Sequence, residues 1–153
     1  MKSQKEKLPT TLTGISGEYF VAAELSRREF TAAVTLRNTR GVDILASHPR
    51  RKNPATIQVK TIQKGRSKWL LSSSDEEPKG NDHYYVFVAL IGRDDPPEYY
   101  IVEGDKVSKQ IASSHRKWLK GKRRDGGKHK NTKMREFHPD EKDLGQWDRI
   151  LVD

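Results

Sequence analysis

Two short apolar runs carry polar groups where a buried strand should have none. Gly41-Val42-Asp43-Ile44-Leu45 and Ile57-Gln58-Val59-Lys60-Thr61 are apolar and β-branched enough to predict buried strands. Asp43 interrupts the first, and Gln58 and Lys60 flank Val59 in the second. Side chains alternate along a strand, so Gln58 and Lys60 share one side and Ile57, Val59 and Thr61 the other. A hairpin loop over residues 46–56 would bring Asp43 beside Gln58 and Lys60. A carboxylate, an amide oxygen and an ammonium would then meet at the mouth of an apolar sheet. Such groups are costly to bury unless they pair or hold a metal. A structural Asp43–Lys60 pair, or a strand edge with its polar residues outside, satisfies the same pattern.

The elements before these strands follow from local pattern. Residues 13–29 predict a helix, with Thr13 or Ser16 as its cap. Ile15, Tyr19, Ala22, Ala23 and Leu25 recur at three- and four-residue steps and form its expected apolar face. Ala22-Ala23 would allow close packing on a sheet. Glu18 falls in the first turns, where the helix dipole favours a carboxylate on a solvated face. Residues 30–36 predict a strand and residues 37–41 a polar turn. The first sixty residues therefore order as helix, strand, strand, strand. Residues 1–12 are polar and lysine-rich and predict a flexible arm, leaving residues 13–153 as one domain.

Beyond Lys60 the pattern weakens. Residues 63–82 give a basic segment with Lys64, Arg66 and Lys68, a short strand over 68–72 and a polar turn through Pro78-Lys79-Gly80. No helix is predicted there. Residues 83–92 form the strongest buried strand, and a turn over 93–97 pairs it with a strand over 98–103. Tyr84, Tyr85, Tyr99 and Tyr100 suit either cross-strand core packing or a stacking platform for bases. A second helix starts at Gly104-Asp105, with Asp105 as cap, and stops at Gly121. Its expected apolar face is Val107, Ile111, Ser114 or His115, and Trp118. Phe137, Leu144, Trp147, Ile150 and Leu151 are expected to pack a C-terminal segment on the core.

Charge is where composition becomes informative. The chain carries a formal net charge of +9. Residues 116–133 hold Arg116, Lys117, Lys120, Lys122, Arg123, Arg124, Lys128, Lys130 and Lys133 against one acid, Asp125. The rest of the chain is nearly balanced, with 21 basic and 20 acidic residues by the same count. So concentrated an excess predicts contact with a phosphate backbone, DNA or RNA, through a loop rich in glycine that orders on binding. A solvated surface loop is the plainer alternative. There is no cysteine, which excludes a disulfide framework and a thiolate metal site and suits a cytoplasmic chain. No run of 18 apolar residues is present, and the N-terminal lysines have no apolar run behind them, so neither a membrane span nor a secretory signal is expected. The five histidines do not pair at zinc spacing, and neither a phosphate-binding GxxxxGK[ST] loop nor a GxSxG elbow occurs.

The order Gly17-Glu18 in a helix, Phe30 opening the next strand, Gly41-Val42-Asp43, then Gln58-Val59-Lys60 resembles the PD-(D/E)XK nuclease superfamily. Archaeal Holliday junction resolvases and small restriction-endonuclease-like proteins are the nearest members in pattern, over residues 13–62. The resemblance implies an α/β fold, a restriction-endonuclease-like core with a central mixed β-sheet flanked by helices. It implies a Mg²⁺- or Mn²⁺-dependent endonuclease acting on DNA, with Glu18, Asp43, Gln58 and Lys60 as the catalytic set. Glu18, Asp43, Gln58 and the Val59 carbonyl would be the metal ligands. Two positions depart from the pattern: Glu29 stands where a glycine is usual before Phe30, and Gln58 where an acid is usual. Restriction enzymes of the Mrr kind also carry Gln at the latter place. A homodimer is expected if both strands of a duplex are cut, because the domain has one such site. A nucleic-acid-binding module of the same fold without catalysis, and an interaction domain with an incidental Asp–Lys pair, are the alternatives.

Overall fold

The computed structural model describes residues 7–36, 41–63 and 66–151. Helix α1 (Thr10–Ser26) is followed by strands β1 (Thr31–Val34), β2 (Ile44–Ser47), β3 (Ala55–Gln63) and β4 (Trp69–Ser72). A 3-10 turn over Ser73–Glu76 leads to β5 (His83–Leu90) and β6 (Glu98–Glu103). Helix α2 (Gly104–Lys120), β7 (Met134–Phe137), a second 3-10 turn and the short α3 (Asp148–Leu151) complete the chain. The central sheet has five strands in the order β1-β2-β3-β5-β6. β3 and β5 run parallel; the other neighbours are antiparallel. β4 and β7 form a separate antiparallel pair. The molecule is thus an α/β fold, a mixed five-stranded sheet flanked by helices, as the sequence predicts.

The two faces of the sheet carry separate apolar layers. Ile44, Ile57, Val59, Tyr84, Val86, Val88 and Ile101 pack with Val21 and Leu25 of α1 and with Trp147 and Ile150 near the C-terminus. Tyr85, Phe87 and Val102 point the other way and pack with Val107 and Ile111 of α2, with Trp69 and Leu71 of β4, and with Phe137 of β7. β5 lies in the middle and is buried on both faces, which explains its unbroken apolar run. Tyr84 and Tyr85 are core residues, not a stacking platform.

Helix α1 departs from its predicted form. It begins at Thr10, three residues earlier than the pattern suggests, after Pro9, and neither Thr13 nor Ser16 caps it. Their hydroxyls donate back to the Pro9 and Leu12 carbonyls. The Gln63 amide ties down the start of the helix: Leu8 N donates to Oε1 at 3.0 Å, and Nε2 donates to Leu8 O at 2.7 Å and to Thr13 Oγ1 at 2.9 Å. The predicted arm over 1–12 is therefore anchored from Leu8 onward, and its first six residues lie outside the described ones. The buried stripe is Thr13, Gly17, Val21 and Leu25, not the Ile15–Tyr19–Ala23 face; Tyr19 and Ala23 are exposed. Phe30 N donates to Leu25 O and Glu29 N to Ser26 O, the pair of bonds that closes a helix through one left-handed residue. That residue is Glu29, at φ 68°, the position where the family pattern has glycine.

Helix α2 ends at Gly121 as predicted, but Glu103 and not Asp105 is its N-cap. Asp105 Oδ1 instead accepts from Lys79 N at 2.8 Å. Trp118 and Leu144, expected in the core, are each 43% exposed. Among the described residues no helix is long and apolar enough to cross a membrane.

Candidate functional site

Asp43 does not sit inside a strand, as its neighbours suggested, but one residue before β2. The β2–β3 ladder pairs Ile44 with Ile57. Asp43 N then donates to the carbonyl of that same Ile57 at 2.8 Å, one residue off the ladder's register. The strands part here, and the Asp43 carboxylate fills the gap: Val59 N donates to Oδ2 at 2.7 Å. On its other side Asp43 is anchored by the residue that follows β1: Thr35 N donates to Asp43 O and Thr35 Oγ1 to Val42 O. Gly41, two residues earlier, is at φ 70°, a conformation that suits glycine.

Glu18 reaches the same place from α1. It is the ninth residue of that helix, well past the first turn, so the helix-dipole explanation for an acid here loses its basis. What brings the helix close is Gly17, packed on β3. A Cβ built on Gly17 would lie 1.8 Å from Thr61 Oγ1 and 2.9 Å from Thr61 Cβ. Any side chain there would force Thr61 or the helix to shift, and Glu18 is its neighbour in sequence. Glu18 and Asp43 line one cavity of about 240 Å³, together with Thr10, Gly14 and Thr35.

Gln58 and Lys60 lie next to this cavity without lining it. The β3–β5 register sets them opposite Tyr85 and Phe87, on the sheet face turned away from α1. Burial raises the pKa of Asp43, while the Val59 N–H and the positive charge of Lys60 oppose that rise. The Lys60 backbone is held by Trp69, whose Nε1 donates to Lys60 O at 3.1 Å. Gln58 Oε1 is buried and has no hydrogen-bond partner. It lies near Gly41, 3.9 Å from where a Cβ would be. A buried amide oxygen without a partner costs about 1–3 kcal/mol.

These donors suit a hard cation. Among the described residues no group of three or more His, Cys, Asp or Glu has the geometry to hold a metal. Glu18 and Asp43 offer two carboxylates on one cavity, and Gln58 on the adjacent strand offers an orphaned amide oxygen, the donor type that Mg²⁺ and Mn²⁺ accept. A cation would offset the desolvation of the Asp43 carboxylate and give the Gln58 oxygen a partner.

The basic segment is less of a loop than residues 116–133 suggested. Arg116, Lys117 and Lys120 belong to the last turns of α2. The loop proper is folded by a tight turn, with Arg123 N donating to Gly127 O, Gly126 N to Arg123 O, and Lys122 bridging Lys128. All nine of its Lys and Arg side chains are exposed. Arg51, another basic residue, is buried instead. Its guanidinium donates to Ile150 O and to Asp82 Oδ1, both at 2.6 Å, so it is a structural clamp.

Sequence reasoning missed the Gly17–Thr61 contact that sets Glu18 and the aromatic cluster around Trp118. The Gly17-Glu18 dipeptide carried the first signal, since a glycine in a helix interior without a cap function asks for a packing reason. The sequence matches no protein-family profile. None of the curated proteins matches it either. Among solved structures, a bacterial homing endonuclease is similar to this chain with a TM-score of 0.43 and 14% identity, over 65% of this chain and 69% of that one.

Proposed function

We propose that the chain is a metal-dependent endonuclease of the PD-(D/E)XK type that hydrolyses phosphodiester bonds in DNA. The observation that carries this reading is the meeting of Glu18 and Asp43 on one cavity, at the edge where β2 parts from β3, beside the buried and unpartnered Gln58 Oε1. A phosphodiester resists hydrolysis because its anionic oxygens repel a nucleophile. Asp43, Glu18, Gln58 and the Val59 carbonyl would hold Mg²⁺ or Mn²⁺. When bound, the ion neutralises charge on the phosphate and lowers the pKa of a coordinated water. Asp43 is kept in place by the Val59 N–H, so its carboxylate does not need to reorganise during the reaction. Lys60 orients the attacking water or stabilises the charge that develops on the phosphoryl oxygens. The basic side chains of residues 116–133 hold the DNA backbone, and each phosphate contact releases counterions. With one site per chain, symmetric cutting of both strands calls for a homodimer.

A second reading is a DNA-binding module of the same architecture that does not cut. It is favoured by Gln58, which leaves the site one carboxylate short of the family pattern. The two are separated by incubating the protein with plasmid, branched DNA and RNA, with Mg²⁺, with Mn²⁺ and with a chelator. Metal-dependent cleavage of DNA, absent from folded Asp43→Ala and Lys60→Ala variants, supports the endonuclease. Salt-sensitive binding with no cleavage under any condition supports the second reading. Cleavage that persists in chelator refutes the proposed site.

A further inference from the structure

Of the three tryptophans, Trp69 and Trp147 are 4% and 5% exposed, while Trp118 is 43% exposed. It lies in the last turn of α2, inside the basic segment. The loop that follows folds back on it: the His129 ring stacks on the indole at 4.1 Å, and His115 stacks on it at 5.5 Å. His115 is fixed in turn by a 2.9 Å hydrogen bond between Nε2 and Asn131 Oδ1. Next to this stack opens a cavity of about 210 Å³ between α2 and β7, which shares no lining residue with the Asp43 cavity. Trp118, His115 and Met134 give it flat or apolar walls, and Ser114, Thr132 and His138 give it hydroxyl and imidazole groups. Glu136 also lines it, but its carboxylate is engaged by Lys68 Nζ at 2.5 Å.

Size, chemistry and charge each narrow the occupant. Drug-sized ligands fill sites of about 300 Å³ or more, so this cavity suits a single ring system. Aromatic walls with mixed donors and acceptors at the rim suit a planar heterocycle. Nine exposed Lys and Arg in the same segment suit a ligand tied to phosphates. A nucleotide within a strand meets all three conditions, with its base against Trp118 and its phosphates on the basic segment. A base inside a continuous duplex is stacked between its neighbours and does not enter such a cavity without being extruded, which costs a few kcal/mol. We infer that the cavity between α2 and β7 takes one unpaired DNA base and makes the protein prefer DNA with an unpaired or splayed nucleotide over continuous duplex. This rests on the proposed reading that DNA is the polymer bound.

The test is fluorescence anisotropy of the whole chain, in chelator, on three labelled DNAs of one length: a continuous duplex, a duplex with a central unpaired base, and a single strand. Wild type should favour the last two. Trp118→Ala should weaken both by about 5- to 150-fold, the equivalent of the ~1–3 kcal/mol that stacking one base on an aromatic ring contributes. Its affinity for the duplex should not change, and Trp118→Phe should restore most of the loss. An alanine variant that binds all three as wild type does, or that loses affinity equally on all three, overturns the assignment. If the alanine variant does not fold, tryptophan emission of the wild type decides, because Trp118 is the exposed indole. Quenching by the single strand but not by the duplex supports the assignment, and equal or absent quenching overturns it. Wild type that binds none of the three DNAs removes the DNA reading as a whole, and the cavity assignment with it. Wild-type binding that is indifferent to Trp118 removes the cavity assignment alone.

Discussion

Helices α1 and α2 are each 17 residues long, yet they are attached to the sheet by different means. α2 is amphipathic in the ordinary way. It buries Gly104, Val107, Ser108 and Ile111 and turns its Lys and Arg outward, so one face serves the core and the other carries positive charge into solvent. α1 has no such division. It leaves Leu12, Tyr19 and Phe20 exposed while burying Thr13 and Gly17. Val21 and Leu25, both fully buried, supply its apolar anchor, at roughly 1.5–3 kcal/mol each. Its closeness to β3, however, is set by the missing side chain of Gly17. The comparison teaches that a helix that only needs to be attached is held by apolar area, whereas a helix that must deliver one residue to a site is held by shape. Glu18, next to Gly17, is the residue that α1 brings to the cavity shared with Asp43.

The largest effect should come from the carboxylate that α1 helps to enclose. Asp43→Asn should lower the rate of DNA cleavage by about 100-fold or more, on the scale of losing one preorganised charge-stabilising group. It should not lower stability at neutral pH. Burial raises the Asp43 pKa in the fold, so the folded state holds this proton more tightly than the unfolded state. Stability linked to this group is therefore lost as pH rises from the ordinary aspartate value through the raised folded value. Asn, which does not ionise, should melt at or above wild type above that window, with the difference vanishing below it. Thermal melts of both proteins across acid and neutral pH check the sign. A variant that loses both cleavage and stability at neutral pH would mean that Asp43 is mainly structural.

The helix contact comes next. Gly17→Ala places a Cβ against Thr61 and should destabilise by about 1–3 kcal/mol, and cleavage should fall beyond what unfolding explains because Glu18 moves with the backbone. Thr61→Ala in the same chain removes the nearest atom and should recover part of both losses. The matching change in α2, Ser108→Ala, removes a hydroxyl that donates to Gly104 O and Glu77 O. It should cost about 1 kcal/mol and leave cleavage alone. Equal behaviour of the two variants in denaturation and cleavage assays would erase the distinction between the helices.

On the α2 side the expected effect is on binding. Replacing Lys122, Arg123 and Arg124 together with Ala should flatten the dependence of log affinity on log salt by up to about 2.7, at ~0.9 per phosphate contact, and weaken all DNA sequences alike. The melting temperature should hold, because these side chains are exposed. An unchanged salt slope would make the segment a solvated surface and send the DNA elsewhere on the molecule.

The smallest effect is at the end of α1. Glu29 occupies a left-handed conformation that costs a non-glycine residue about 1 kcal/mol. Glu29→Gly should therefore raise the melting temperature by about 2–4 °C. A fall instead would mean that the Glu29 side chain contributes more than its backbone costs.

The sequence by itself determined the order of the elements up to Lys60, the β5–β6 hairpin, the extent of α2 at its C-terminal end, and the single basic segment. All of these are written in local periodicity, turn chemistry and charge, which act over a few residues. It also marked Asp43, Gln58 and Lys60, because polar groups in apolar runs are conspicuous without any structure. Only the tertiary structure decided the rest. That Thr13, Gly17, Val21 and Leu25 form the buried side of α1 depends on a contact with Thr61, 44 residues from Gly17 in the chain. That Asp43 stands outside β2 depends on where two strands part. The pairing of β4 with β7 joins Trp69 to Phe137, and no local signal announces it. The same fold-back leaves Trp118 beside a cavity although its spacing placed it in the core. Spacing reports which side of an element a residue occupies; which neighbour meets that side, or whether any does, is settled by closing long loops, and the sequence carries no short-range mark of that closure.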